Sequence, residues 1–217
     1  MNESKILSVA AEVHGRVLVR QASRAPAPLL VGFHGYGENA ERLLEAIVEI
    51  PAISTWHVVV IQGLHPFYNT KTGEVVASWM TKQDREVAIK DNIRYVSRAL
   101  DETKKHLDVS GATVFLGFSQ GTAMAYRAAG FASHECTGLI ALAGDMPAEL
   151  VSDEAQTIPR VLIGRGTRDT WYDEAKFESD VARLDSLATE VEACVFEGGH
   201  EWTAEFRAAV RDFLQRL

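Results

Sequence analysis

The sequence predicts an α/β fold, a mostly parallel sheet wrapped by helices on both faces, in one domain spanning residues 1–217 with no separate lid domain. Three observations predict it. Short apolar runs rich in β-branched residues alternate with amphipathic runs of helical period along the chain. The 217 residues, 47% of them hydrophobic, suffice for one full core. The connections between runs are also too short to hold a second folded unit.

Residues 6–13 and 16–20 read as two strands joined at His14-Gly15, an opening hairpin. Pro26-Ala27-Pro28 is a break, after which 29–33 is an apolar strand that ends in His34-Gly35-Tyr36-Gly37. Asn39 is placed to cap a helix running to about Ile50, with Leu43, Leu44, Ile47 and Val48 on one face. Pro51 and Ser54 end it. The next apolar strand is 57–61. It is followed by an irregular stretch, 62–82, holding Gly63, Pro66, Asn69, Gly73 and Trp79. An unstructured loop of that length inside a compact domain usually serves function.

From 84 to 107 the apolar positions Ile89, Ile93, Val96, Leu100 and Leu107 recur at helical spacing, marking a long amphipathic helix with Asp84 as its cap. Thr113-Val114-Phe115-Leu116 is a short buried strand, and 122–129 reads as a helix that Gly130 stops. The alternation continues with strands 138–143 and 160–164, helix 172–187, strand 190–196 and helix 201–217. No internal repeat or low-complexity segment appears.

Between strand 113–116 and helix 122–129 lies Gly117-Phe118-Ser119-Gln120-Gly121, a G-x-S-x-G pentapeptide at a strand-to-helix turn. Such a turn strains the serine backbone, and side chains two positions to either side would collide with neighbouring elements, so glycine belongs there. The turn lifts the Ser119 hydroxyl above the strand ends, and the helix behind it offers free N–H groups. The plainer alternative is a tight turn with serine as a helix cap.

A serine hydroxyl is a poor nucleophile near neutral pH, so this reading requires a base and an acid that orients it. Of the seven histidines, His200 in Gly198-Gly199-His200 directly follows the last strand and shares the strand-end rim with Ser119. Asp169 follows strand 160–164 on the same rim, in the chain order Ser, Asp, His. Asp145, after strand 138–143, is the rival acid. An oxyanion would take the backbone N–H of Gln120 and, from the glycine-rich turn after strand 29–33, that of Tyr36. His34, at the strand end, reads as structural. Phe67, Tyr68, Trp79, Met80, Met146, Trp171 and Trp202 fall in loops near this rim. Phe67, Trp79, Met146 and Trp171 are the substrate-binding candidates, while Trp202, opening the last helix, is the best candidate for ordinary core packing.

The formal charge of −8 and the lack of a Lys/Arg stripe argue against nucleic acid as a partner. No apolar run approaches the roughly 18 residues of a membrane span, and Met1-Asn2-Glu3-Ser4-Lys5 does not resemble the start of a signal peptide, so a cytoplasmic protein is expected. Cys136 and Cys194 fall in segments read as strands with another strand between them, beyond bridging reach, and read as reduced core residues. No His/Cys/Asp cluster has metal-ligand spacing and no glycine motif cradles phosphate, so neither metal nor cofactor is expected. An edge strand or the aromatic loop leaves a homodimer open.

Leu30-Val31-Gly32-Phe33-His34-Gly35-Tyr36-Gly37, the Ser119 pentapeptide, Gly166-Thr167-Arg168-Asp169 and Gly199-His200 together resemble the phospholipase/carboxylesterase family, the small lidless α/β-hydrolases that include acyl-protein thioesterases. The resemblance spans nearly the whole chain, and the glutamine after the serine is its most specific part. It implies an α/β-hydrolase fold, Ser119 as nucleophile, Asp169 as acid, His200 as base, and the amides of Tyr36 and Gln120 as the oxyanion hole. Thioesterases of the family usually carry leucine where this chain has Tyr36, and a valine-proline run where it has Thr170-Trp171-Tyr172. The chain is therefore more similar to the bacterial predicted esterases of the family. The implied activity is hydrolysis of a small-molecule carboxylic ester with a small or medium acyl chain. Thioesterase or lysophospholipase activity, lactone hydrolysis, or a non-catalytic binding role are the alternatives.

Overall fold

A computed structural model describes residues 4–152 and 155–217. Seven strands form the main sheet: β1 (Val17–Arg20), β2 (Ala27–Phe33), β3 (His57–Ile61), β6 (Val109–Phe118), β7 (Gly138–Leu142), β8 (Arg160–Gly166) and β9 (Glu190–Phe196), in the spatial order β1-β3-β2-β6-β7-β8-β9. All neighbours pair in parallel except β1, which runs antiparallel to β3 at one edge. A separate antiparallel pair, β4 (His65–Tyr68) and β5 (Val75–Ser78), projects from the segment after β3. This is the α/β-hydrolase fold.

Alternation along the strands builds two apolar layers, because successive side chains leave opposite faces of a sheet. Val31, Phe33, Val59, Phe115, Ala141 and Ile163 pack on one face with α2 (Arg85–Lys104), α3 (Gln120–Phe131) and α4 (Glu174–Ser186). Leu30, Val58, Val114, Leu116, Ile140 and Leu162 pack on the other with α1 (Ala40–Val48) and α5 (Ala204–Leu214). Both faces are covered, as a parallel sheet requires. Among the described residues no helix is long and apolar enough to cross a membrane.

Several sequence expectations need correction. The opening hairpin does not form: among the described residues before β1 none is in a strand, and Ile6, Leu7, Val9 and Val13 are exposed. A side chain at Gly15 would overlap the Tyr95 ring, and the Tyr95 hydroxyl donates to the Arg16 carbonyl at 3.1 Å. The chain is thus held against α2 where it would have turned, and β1 takes β3 as its partner, with Val17 opposite Ile61.

The stretch 62–82 is not irregular. Asn69 organises the reversal between β4 and β5, its side-chain oxygen accepting from the Lys71 N–H at 2.9 Å while Gly73 N–H donates to the Asn69 carbonyl at 2.8 Å. Gly130 does not stop α3, which continues to Phe131. It gives room instead: a Cβ there would sit 2.6 Å from Cδ2 of Leu150.

Helix ends also shift. Asp84 precedes α2 in the left-handed region (φ 49°) and its side chain does not cap. Asp173 and Thr203 cap α4 and α5, which therefore begin later than Tyr172 and Glu201. Asn39 caps α1 as expected, accepting from the Arg42 N–H at 3.0 Å, but Val48 lies outside the buried face. Both cysteines are free; Cys136 lies just before β7 rather than in a strand, and burial pushes its thiol up to about 12, while Cys194 on β9 is half-buried.

Candidate active site

The site lies at the carboxyl ends of β2, β6, β8 and β9, the rim where open parallel sheets present loops to ligands. Ser119 directly follows β6 and precedes α3 at φ 53° and ψ −121°, a strained conformation for a residue with a side chain. A Cβ at Gly117 would come within 2.4 Å of the Thr122 Cα, and one at Gly121 within 1.9 Å of the Phe33 carbonyl oxygen. Those approaches explain why glycines flank the serine. The turn is tied down from β7, whose Leu142 carbonyl accepts from the Ser119 N–H at 2.9 Å and from the Thr122 hydroxyl at 3.0 Å.

The loop after β8 is fastened to the loop after β9, with the Arg168 N–H donating to the Gly198 carbonyl at 2.8 Å. One oxygen of Asp169 accepts from the N–H groups of Trp171 (2.8 Å) and Tyr172 (3.0 Å). Its other oxygen stands 2.8 Å from Nδ1 of His200, and its carboxylate is fully buried. A carboxylate only accepts, so Nδ1 of His200 donates to Asp169, and Nε2 faces the Ser119 hydroxyl at 2.8 Å. Asp145 lies apart, exposed and 3.6 Å from the Lys176 ammonium. The structure therefore brings Asp169, and not its rival, to the histidine.

The turn after β2 abuts the serine: a methyl group on Gly35 would lie 3.3 Å from the Ser119 Cβ. Among the hydrogen bonds of the described residues, the backbone N–H groups of Tyr36 and Gln120 have no protein acceptor. Glu38, absent from the sequence-level candidates, is part of this turn. Its carboxylate accepts from the Gly35 N–H at 2.8 Å, and burial raises its pKa above the ordinary carboxylate value. An acidic residue three positions after Gly35, able to close the turn on its N–H, was the available signal.

The β4–β5 hairpin braces both sides. Gly37 N–H donates to the Ala77 carbonyl (3.0 Å), and Ala77 N–H donates to the Glu38 carbonyl (2.7 Å). The Gln120 side chain reaches the hairpin exit, its Nε2 donating to the Met80 carbonyl at 3.0 Å.

The aromatic candidates divide. Trp79 is fully buried, its Nε1–H donating to the His34 carbonyl at 2.9 Å and its ring against Phe33, so it is core rather than a substrate contact. It follows a strand invisible at sequence level, which turns it inward. Met146 is likewise buried, its N–H donating to the Asp180 carboxylate at 2.8 Å. Phe67 is half-buried and stacks with the exposed Tyr36 ring at 5.5 Å between centroids. Trp171, 75% exposed, and Tyr68 project to solvent, while Met80 is half-buried against the core. Trp202 is also half-buried, packed against Phe118 and Phe206. Among the described residues no three His, Cys, Asp or Glu side chains converge as a metal ion would require.

Comparison with known proteins agrees with this architecture. Esterase PE8 superposes with a TM-score of 0.76 at 22% identity, over 94% of this chain and 99% of its own. The Bacillus cereus carboxylesterase gives 0.74 at 18% identity, over 93% and 94%, and Zea mays acyl-protein thioesterase 2 gives 0.74 at 18%, over 94% and 99%. At such identities the likeness concerns the fold. No curated protein matches the sequence. The sequence pattern of the Phospholipase/Carboxylesterase family, however, matches residues 14–217. With nearly the whole chain matched, this protein belongs to the phospholipase/carboxylesterase family.

Proposed function

We propose that this chain is a serine carboxylesterase acting on small-molecule carboxylic esters, with Ser119 as nucleophile, His200 as general base and Asp169 as its orienting acid. The observation that carries the reading is His200, with one ring nitrogen 2.8 Å from Asp169 and the other 2.8 Å from the Ser119 hydroxyl. Ser119 Oγ attacks the ester carbonyl while Nε2 takes its proton, and the buried Asp169 carboxylate stabilises the imidazolium. The amides of Tyr36 and Gln120 hold the oxyanion. Collapse of the tetrahedral adduct expels the alcohol, protonated by His200, and leaves an acyl group on Ser119. Water, deprotonated by the same imidazole, then releases the acid.

The exposed rings of Tyr36 and Trp171 and the half-buried Phe67 supply apolar surface for the acyl or leaving group. A fluorophosphonate probe tests the reading: stoichiometric labelling of the wild type at Ser119, none in Ser119→Ala, and loss of short-chain aryl ester turnover in that variant are the expected results. Retained turnover in purified Ser119→Ala refutes it.

A further inference from the structure

His34 directly follows β2 with its ring fully buried, and both ring nitrogens are engaged. Nε2 lies 3.0 Å from the Gly63 N–H, which can only donate, so Nε2 carries no proton. The proton of the neutral ring is therefore on Nδ1, which donates to the Gly35 carbonyl at 2.7 Å. Burial lowers the His34 pKa and favours that neutral form.

The Gly35 carbonyl and the Tyr36 N–H belong to one planar, trans peptide unit and point to opposite sides of it. Neighbouring units have their own fastenings: Glu38 holds the Gly35 N–H and Ala77 holds the Gly37 N–H. The unit between them is held at its carbonyl by His34 and by a longer bond from the Glu38 N–H at 3.3 Å. We propose that His34 is a positioning residue for the reaction, its Nδ1–H fixing the Gly35–Tyr36 peptide plane and so aiming the Tyr36 N–H at the oxyanion. A donor into the carbonyl also polarises that peptide and strengthens its N–H. The proposal rests on the reading of Tyr36 as an oxyanion donor.

Two variants separate the ring's two bonds. His34→Asn sets an amide N–H close to the position of Nδ1 and keeps the bond to Gly35. His34→Gln sets a carbonyl oxygen near Nε2 and keeps only the bond from Gly63. Removal of a whole oxyanion donor costs about 10²- to 10³-fold in kcat, so a misaimed one should cost about 10- to 100-fold. His34→Gln should show that loss in kcat with KM unchanged, and an equal loss in affinity for an aryl trifluoromethyl ketone, whose adduct with serine carries an oxyanion. His34→Asn should stay within about threefold of wild type on both measures.

Full kcat in His34→Gln, or equal losses in both variants tracking their melting temperatures, overturns the proposal. Should either variant fail to fold, the wild type gives the answer: its His34 Nδ1 proton resonance should shift when the trifluoromethyl ketone binds, and an unmoved resonance is contrary. Failure of the underlying function would show differently, as absence of fluorophosphonate labelling at Ser119. The Tyr36 amide resonance, displaced in His34→Gln and preserved in His34→Asn, would still report the positioning.

Discussion

The backbone N–H of Trp79 donates to the side-chain oxygen of Gln120 at 3.0 Å. Trp79 leaves the β4–β5 hairpin, whereas Gln120 directly follows Ser119, so this bond ties the hairpin to the turn at Ser119. The Ser78 hydroxyl donates to the same oxygen at 3.3 Å. One residue earlier, Ala77 is bonded to Gly37 and Glu38. The hairpin is therefore bonded both to the turn after β2 and to the turn at Ser119. A segment that touches no reacting atom can in this way fix the geometry on which charge stabilisation depends.

Removing the Gln120 side chain tests that role. Gln120→Ala keeps the backbone N–H but leaves the Trp79 N–H without its acceptor, while the Met80 carbonyl keeps the Ser78 hydroxyl, 3.0 Å away, as donor. A buried donor left unpaired costs about 1–3 kcal/mol, and this N–H is partly buried, so a loss of about that size is expected in urea denaturation. Ester turnover should fall by at least about tenfold as the two turns lose their common brace. Stability and turnover both at wild-type levels would show that the hairpin is not held through Gln120.

The two aspartates offered by the sequence should differ sharply in effect. Asp169→Asn leaves an amide beside His200 and permits the wrong tautomer, a change that costs about 10⁴-fold in kcat in comparable sites. Asp145→Asn alters only an exposed carboxylate 3.6 Å from Lys176 and should stay within about twofold, since such surface pairs contribute little. Steady-state kinetics on one aryl ester decide it. Comparable losses in the two variants would remove Asp169 from the assigned role.

Trp79 and Trp171 both lie in rim segments but should respond in opposite ways. Trp79→Ala empties a fully buried site and frees the His34 carbonyl, for an expected cost of about 3–5 kcal/mol in unfolding free energy. Trp171→Ala removes a ring that is 75% exposed and should change stability by less than about 0.5 kcal/mol. Its effect should appear in KM for esters with larger acyl or alcohol groups. A Trp171→Ala enzyme with unchanged KM across such a series would exclude the ring from substrate contact.

Much of the sheet was legible because its central strands are buried on both faces and read as apolar runs, and because the glycines around Ser119 answer to close approaches that no other residue tolerates. His200 and Asp169 were legible because each lies in the loop that follows its strand. The β4–β5 hairpin was not, since His65-Pro66-Phe67-Tyr68 lacks a clean alternation and pairs outside the main sheet. With it went the placement of Trp79 and the role of the Gln120 side chain. The opening strand was over-read for the reverse reason: residues 6–13 carry strand-forming side chains, yet the partner β1 accepts lies forty residues away in β3. Glu38 was signalled only by its place three residues after Gly35, and the bond of His34 to a backbone carbonyl is announced by no side-chain pattern.

The buried His34 should also leave a signature in stability against pH. Its pKa is lowered in the folded state from the ordinary 6.5 by burial, against the opposing hydrogen bond to the Gly35 carbonyl and the attraction of Glu41. The unfolded chain therefore binds a proton that the folded one refuses, and stability must rise with pH wherever the two differ. The contribution is fully present above about pH 6.5 and is lost as pH falls toward the folded value, at up to about 1.4 kcal/mol per pH unit. Glu38 and Asp180 are raised by burial and act in the opposite sense, losing stability as pH climbs from their ordinary values through the folded ones. A single stability profile mixes these trends, whereas the difference between wild type and His34→Asn isolates the ring, because asparagine does not titrate. Urea unfolding from pH 5 to 8 should give a difference that is constant above about pH 7 and shrinks on the wild-type side below about 6.5. A difference that stays flat across the whole range would mean that His34 titrates alike in both states and that its ring is not held neutral by the fold.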